Sequence, residues 1–133
     1  MIMLILKQIP EDFIVHEIPN KEFSQDKKGN KYTIYILEKK SYNTEDAVQR
    51  TIEALKINRK QISYAGIKDR NAITFQYISF IDVNESAIEN LTLRDIILKK
   101  VGYSDKAISL GDLIGNNFKI TVRNLESNQI PIK

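Results

Sequence analysis

The alternation of apolar and polar residues divides much of the chain into short segments of β-strand character. Runs of β-branched and aromatic residues bounded by turn-forming residues are typical of strands. A turn at Lys28-Gly29-Asn30 follows the first run, so the second run is predicted to pair back on the first. The predicted strands are FIVHEI (13–18), YTIYILE (32–38), QISYAG (61–66), ITFQYISFI (73–81) and FKITVRNL (118–125).

One segment, NTEDAVQRTIEALKI (43–57), has a helical period instead. Asn43 or Thr44 can cap the N-terminus of this helix, and acidic residues in its first turn complement the helix dipole. Three apolar residues recur at intervals of four and three positions, which places them on one face of the helix: Val48, Ile52 and Leu55.

Two further segments complete the predicted fold. NESAIEN (84–90) predicts one or two helical turns, whereas LRDIILKKVGY (93–103) fits either a strand or a helix. We favour a strand for the latter because SLGDLIGNNF (109–118) is predicted to form a turn and the residues after it alternate strongly between apolar and polar. The order β-β-α-β-β-α-β-β predicts an α+β fold with a mixed, largely antiparallel sheet, one main helix and a shorter one.

Length and composition are consistent with a single domain over residues 1–133 that can bury a core. The net charge of +3 and the pI of about 9.0 are compatible with a polyanionic partner but do not require one. The chain has no cysteine, which excludes disulfides and thiol nucleophiles and leads us to expect a cytoplasmic protein. The apolar start MIMLIL is too short for a signal peptide or a membrane span.

Residue types that commonly bind metals or phosphates give little support for such a site. His16 is the single histidine, and alternation along the first strand puts it among apolar neighbours, so a structural role is expected. GDLIGN (111–116) lacks the Lys-Ser/Thr ending of a phosphate-binding loop. We therefore expect Gly102, Gly111 and Gly115 to serve turn geometry.

The segment YAGIKDRNAITFQ (64–76) places one acid, Asp69, between two bases, Lys68 and Arg70. Such a sequence is common in charged turns between strands. The neighbouring positive charges should nevertheless keep the carboxylate ionised, which suits a nucleophile or a general base better than a general acid. The residues alone leave both interpretations open.

Four motifs in order along the chain resemble the TruD family of tRNA pseudouridine synthases. The third motif below is the most specific, because a glycine, Lys-Asp, alanine, threonine and glutamine recur at fixed spacing in that family. The resemblance covers nearly the whole chain and implies the N-terminal portion of a catalytic domain. The motifs are KQIPEDFIVHEIP (7–19), KKSYNTEDAV (39–48), ISYAGIKDRNAITFQ (62–76) and LGDLIGNNFKITVRN (110–124).

The resemblance implies an isomerase that converts a uridine of tRNA to pseudouridine without a metal or an organic cofactor. Asp69 corresponds to the catalytic aspartate of the family. Asn116 would hold the aspartate or the base, and Phe118 would pack beside the target, unless Phe118 is a core residue of its strand. Thr74 and Gln76 are expected to be structural. Contacts to the RNA are implied for Lys7, Lys68, Arg70, Asn116 and Phe118; Lys7 is alternatively a solvated lysine.

Two departures from the family pattern leave alternative functions open. Ile114 stands where the family has a lysine in its Lys-Gly-Asn-x-Phe motif. Full-length members also continue into a second half of the catalytic domain and an inserted domain, neither of which is present. The chain is therefore interpreted as the N-terminal fragment of a synthase, one subunit of a split enzyme with a separate C-terminal half, or an inactive remnant that binds RNA. A weaker alternative is an interaction protein whose open sheet edge pairs with another chain.

Overall fold

The computed structural model describes residues 13–41, 43–66 and 72–121. Over these ranges the strands and α-helices follow in the predicted order β-β-α-β-β-α-β-β, and the predicted α+β class is confirmed. The elements are β1 (Phe13–Pro19), β2 (Tyr32–Lys40), α1 (Thr44–Leu55), β3 (Ile62–Tyr64), β4 (Ile73–Ile81), α2 (Glu85–Glu89), β5 (Ile96–Ser104) and β6 (Leu113–Ile120).

The strands form one mixed sheet in the order β5-β2-β4-β1-β6. β1 runs parallel to β4, and the other pairs are antiparallel. The predicted pairing of the first two strands is wrong, because β4 lies between β1 and β2. Residues 20–31 connect β1 to β2 across this gap, and the backbone of Ser24 is held by Tyr103 at the far end of β5. A connection of that length does not require a tight hairpin.

The hydrophobic core lies between α1 and one face of the sheet. The side chain of Asn43 accepts a hydrogen bond from the backbone N–H of Asp46 at 2.8 Å, which confirms the predicted helix cap. The core cluster comprises Tyr35, Leu37, Ala47, Val48, Ile52, Ile62, Ile78, Phe80, Ile88 and Ile96.

The segment around the C-terminal glycines differs from the prediction. β6 begins at Leu113, five residues before the predicted start, because this stretch pairs with β1 from Phe13 opposite Ile120 to Pro19 opposite Leu113. Residues 122–125 of the predicted strand lie outside the described residues. Gly102, Gly111 and Gly115 do not have the positive φ expected of a glycine turn; Gly102 lies inside β5.

His16 is exposed, on the face of β1 that it shares with Ile14 and Ile18 as the alternation predicted. Its ring stacks on that of Phe75, with centroids 4.2 Å apart and planes within 3°. Val15 and Glu17, on either side of it in the sequence, are the buried residues of β1. The buried face of β1 is therefore the opposite one, because the alternation of the strand places a glutamate among its buried positions.

Candidate active site

The register of three neighbouring strands brings buried polar side chains together on the face that α1 covers. Val15 of β1 and Lys39 of β2 both lie beside Thr74 of β4. Because side chains alternate along a strand, Glu17 and Gln76 point to the same face as these residues. This buried polar cluster consists of Glu17, Lys39, Thr74 and Gln76.

Glu17 supplies the carboxyl group of the cluster, and the pKa of this group is raised. The residue is only 5% exposed, and burial raises the pKa of its carboxyl from 4.5 to about 7. The backbone N–H groups of Tyr77 and Gly66 and the positive charge of Lys39 act in the opposite direction and limit the rise of this pKa. Glu17 therefore exchanges a proton near neutral pH.

Glu17 lies where one edge of β4 changes its partner strand from β1 to β3. β1 pairs with this edge at residues 73–75, and β3 pairs with it at residues 78–80. Between them, the backbone N–H of Tyr77 donates to Glu17 Oε1 at 2.7 Å. The carboxylate thus replaces a missing strand partner, which a buried backbone N–H requires.

Several atoms of the cluster lack a hydrogen-bond partner among the described residues. Gln76 Oε1 accepts from the Thr44 hydroxyl at 3.0 Å, but Gln76 Nε2, Thr74 Oγ1 and Glu17 Oε2 are buried without one. Buried polar groups are costly when unpaired, and exceptions are found at functional sites. Lys39 does engage in interactions beyond its effect on Glu17.

An open pocket of about 200 Å³ adjoins this cluster on the β6 side. Gly66 contributes to the wall with φ of 124°, a conformation that strongly favours glycine. The neighbouring Ile114 side chain is 72% exposed. The pocket is lined by Glu17, Gly66, Leu110, Leu113, Ile114, Gly115 and Asn116.

β6 carries the two predicted site residues that the structure describes. Asn116 lies opposite Glu17 in the strand register and lines the pocket. Phe118 is 55% exposed, and its ring meets that of Phe13 edge-on, with centroids 6.0 Å apart. This exposure contradicts the alternative interpretation of Phe118 as a core residue and leaves its ring available for contact.

The other predicted site residues, Lys7, Lys68, Asp69 and Arg70, lie outside the described residues. The segment 67–71, which contains three of them, is bounded by Gly66 at the pocket and by Ala72. Ala72 is fully buried, and its carbonyl accepts a hydrogen bond from the N–H of Ser41.

Sequence reasoning overlooked Glu17 and Lys39 as site residues. Both belong to motifs that carried the family resemblance. A charged residue in phase with the apolar positions of a strand, as Glu17 is with Val15, was the available signal. Thr74 and Gln76 are fully buried, in keeping with the structural role expected of them. In the described ranges no group of three or more His, Cys, Asp or Glu residues could hold a metal ion, and no helix there is long and apolar enough to cross a membrane.

Comparison with known proteins places this architecture among pseudouridine synthases. A crystal structure described as tRNA pseudouridine synthase D from Methanosarcina mazei superposes with a TM-score of 0.82 at 45% identity, covering 90% of this chain and 26% of that one. A relative from the same organism, named probable tRNA pseudouridine synthase D, is 45% identical over 123 residues, or 92% of this chain and 27% of the relative. One of the same name from Pyrococcus furiosus is 42% identical over 127 residues, or 95% and 30%.

The model of the tRNA pseudouridine synthase D (TruD) family matches residues 2–132. The chain therefore belongs to this family, and the resemblance inferred from its motifs is confirmed. It corresponds to the N-terminal part of the family and spans about 27% of the length of the Methanosarcina relatives.

Proposed function

We propose that this chain supplies the catalytic aspartate and one wall of the substrate pocket in a tRNA pseudouridine synthase. The observation that carries the proposal is the pocket lined by Glu17, Gly66 and Asn116, at the start of the segment that contains Asp69. Asp69 comes three positions after Gly66 in the sequence, a distance along the chain of at most about 11 Å. Asp69 is thus within reach of the pocket.

The reaction breaks the bond between C1′ of the ribose and N1 of uracil and forms a bond from C1′ to C5. The proton on C5 is lost and N1 gains one, so the product is an isomer of the substrate. An ionised Asp69 serves this chemistry either by attacking the sugar or by removing a proton. The base must leave the helical stack to reach it, as in other enzymes that act on bases.

The described residues fit contacts to an extruded nucleotide. The exposed ring of Phe118 offers a flat apolar surface, and base–aromatic stacking contributes about 1–3 kcal/mol per base in RNA-binding proteins. Asn116 lies beside the pocket and can donate and accept hydrogen bonds. Lys7, Lys68 and Arg70 are proposed to contact phosphate groups of tRNA, which would orient the RNA.

Residues 1–133 are proposed to be the N-terminal portion of the catalytic domain, with the second half and the inserted domain absent from this chain. Because the chain spans about 27% of its relatives, the remaining walls of the pocket would come from the other part. That part is either joined to the chain or, in the split-enzyme case, supplied as a separate chain. The proposed location of the assembled enzyme is the cytoplasm.

A chimera tests the function directly. This chain would replace the 123 matched residues of the Methanosarcina mazei relative, and tRNA transcripts would be mapped chemically for pseudouridine. The expected result is one modified uridine with the chimera and none with its Asp69→Asn variant. Adding the two parts as separate chains tests the split-enzyme arrangement. Equal product from the Asp69→Asn variant, or none from the chimera, would reject the assignment.

A second candidate, an inactive module that binds RNA, is favoured by the exposed Ile114 in place of the family's lysine. It predicts salt-dependent tRNA binding by the chain, because phosphate contacts release counterions. It also predicts an inactive chimera. Binding without salt dependence, or none at all, would count against this candidate.

A further inference from the structure

We propose that Glu17 is the positioning residue that fixes the start of the catalytic segment, through the backbone N–H groups of Gly66 and Tyr77. This inference rests on the proposed function, since it concerns the segment that carries Asp69. The geometry behind it lies in described residues only: a buried carboxylate, a short hydrogen bond from the Tyr77 N–H, and a pocket wall that Glu17 shares with Gly66. The backbone of Gly66 also lowers the pKa of this carboxyl.

Glu17 joins three parts of the sheet at one point. Its backbone belongs to β1, and its side chain binds β4 at Tyr77. Gly66, two residues beyond the end of β3, also faces the carboxylate. Tyr77 donates to Glu17 Oε1, and Glu17 Oε2 has no hydrogen-bond partner among the described residues. Glu17 Oε1 therefore bonds to the sheet, and the same side chain lines the pocket together with Gly66.

A direct part in proton transfer does not fit the same observations. Glu17 Oε2 is buried although the residue lines the pocket, so a substrate atom would not reach it without rearrangement. General acid–base groups need hydrogen-bond reach to the proton that they transfer. A buried carboxylate that accepts one backbone N–H and lies beside a second is placed as an anchor, in which the ionised form is the stronger acceptor.

Replacing Glu17 separates the proposed anchoring role from a purely structural one. A purely structural role predicts a loss of stability on replacement, whereas the anchoring role does not. The buried, ionised carboxylate opposes folding, since its burial disfavours the charged form. A glutamine at this position would remove that cost and could still accept the N–H of Tyr77. Its amide NH₂ would, however, face the N–H of Gly66, donor against donor. Glu17→Gln is therefore expected to keep or raise stability at pH 8 while losing the anchor.

The groups that surround Glu17 define what a pH profile would report. The charged or titratable groups that interact electrostatically with it within the described residues are Lys39 on β2 and the Tyr77 side chain, which β4 directs to the other face. Asn116, opposite it on β6, is neutral, and His16 points to the other face of β1. Glu17 is the member of this group that changes charge near pH 7.

The experiment compares Glu17→Gln with wild type in the Methanosarcina mazei chimera, using Glu38→Gln as the control. Glu38 is a half-buried glutamate on β2, beside Phe75 and Ile97 and away from the pocket. For Glu17→Gln we expect kcat at pH 8 to fall at least tenfold, with KM for tRNA within twofold of wild type. The wild-type rate should decline as pH falls through about 7, and this decline should be absent in Glu17→Gln.

A second measurement does not depend on activity. In the full 133-residue chain, amide hydrogen exchange at Gly66 should become at least tenfold faster in Glu17→Gln and stay unchanged in Glu38→Gln. Wild-type kcat in Glu17→Gln, a loss confined to KM, or unchanged exchange at Gly66 would each overturn the proposal. If Glu17→Gln does not fold, Glu17→Asp replaces it: a lower kcat with the pH dependence retained supports the anchor, and an unchanged kcat overturns it.

Failure of the proposed function is recognised separately. A wild-type chimera that forms no pseudouridine would reject the function, whereas the exchange of the Gly66 amide would still decide whether Glu17 holds this part of the backbone.

Discussion

At the scale of single residues, the buried carboxylate of Glu17 opposes stability in the place where we propose that it serves function. Its carboxylate accepts the Tyr77 N–H at 2.7 Å at a point where β4 has no strand partner on that edge. Burial at this point raises the pKa of the Glu17 carboxyl to about 7. Sites that hold reacting groups commonly contain residues whose pKa is shifted in this way.

The shifted pKa of Glu17 predicts a loss of stability as pH rises. Below pH 4.5 the side chain is neutral in both the folded and the unfolded state. Between pH 4.5 and about 7 the unfolded chain loses this proton while the folded protein retains it, which favours unfolding. The shift corresponds to about 3 kcal/mol. Denaturant unfolding should therefore show wild type losing up to about 3 kcal/mol relative to Glu17→Gln over this range; a parallel pH dependence of the two proteins would contradict it.

Ile114 offers a second prediction at this scale. Its side chain is exposed at the rim of the pocket, where the family has a lysine. Ile114→Lys in the chimera should tighten tRNA binding and steepen the slope of log affinity against log salt by about 1, because one more phosphate is neutralised. Lys119→Ile, which removes a positive charge from the same strand, is a useful comparison. An unchanged slope in Ile114→Lys would show that no phosphate lies near this rim.

At the scale of elements, the sequence allowed the order and type of the strands and α-helices of the described ranges to be predicted, but not the two short 3-10 helices nor all partners and boundaries. Periodicity depends on neighbouring residues, so it identified α1 and β4 well. Pairing depends on distant residues: β1 pairs with β4 and β6 rather than with β2. The start of β6 was missed because its glycine and asparagines favour turns locally, and only the pairing with β1 makes them a strand.

Gly102 and Gly111 differ in how closely other atoms approach them. A Cβ on Gly102 would lie 2.5 Å from the carbonyl oxygen of Ser24, whereas one on Gly111 would meet nothing within 4 Å. Gly102→Ala should destabilise the protein by about 1–3 kcal/mol, because the loop before β2 must move away from β5. Gly111→Ala should be nearly neutral. Chemical denaturation of the two variants would test this, and equal stabilities would refute the close approach.

At the scale of the whole molecule, the candidate site was partly predictable from the sequence. The motifs indicated the family and the residues Asn116 and Phe118, both of which the structure places on the pocket side of β6. Glu17 was not predicted as a site residue, since its importance comes from the β1–β4–β3 junction and from burial, which periodicity cannot report. β3 pairs with β4 beside this junction, and Gly66, two residues after β3, lines the pocket together with Glu17.

The exposed residues of β6 and the turn before it predict how the chain behaves by itself. Four large apolar side chains, Leu110, Ile114, Phe118 and Ile120, are more than half exposed, and β6 is the last strand in the order that the described residues form. Unpaired edges with apolar residues favour association with other chains. Sedimentation velocity should therefore show association of the chain that increases with concentration.

A double variant, Ile114→Lys with Ile120→Lys, should reduce this association, because charged residues on an edge strand disfavour pairing between edges. The matched control is Ile97→Lys on β5, at the opposite edge of the sheet, where the side chain is also exposed. If Ile97→Lys reduces association as much as the double variant does, the β6 edge is not the surface responsible. A wild-type chain that remains monomeric at high concentration would remove the basis for the prediction. Weaker association in the chimera than in the chain would indicate that the added part of the synthase covers this edge.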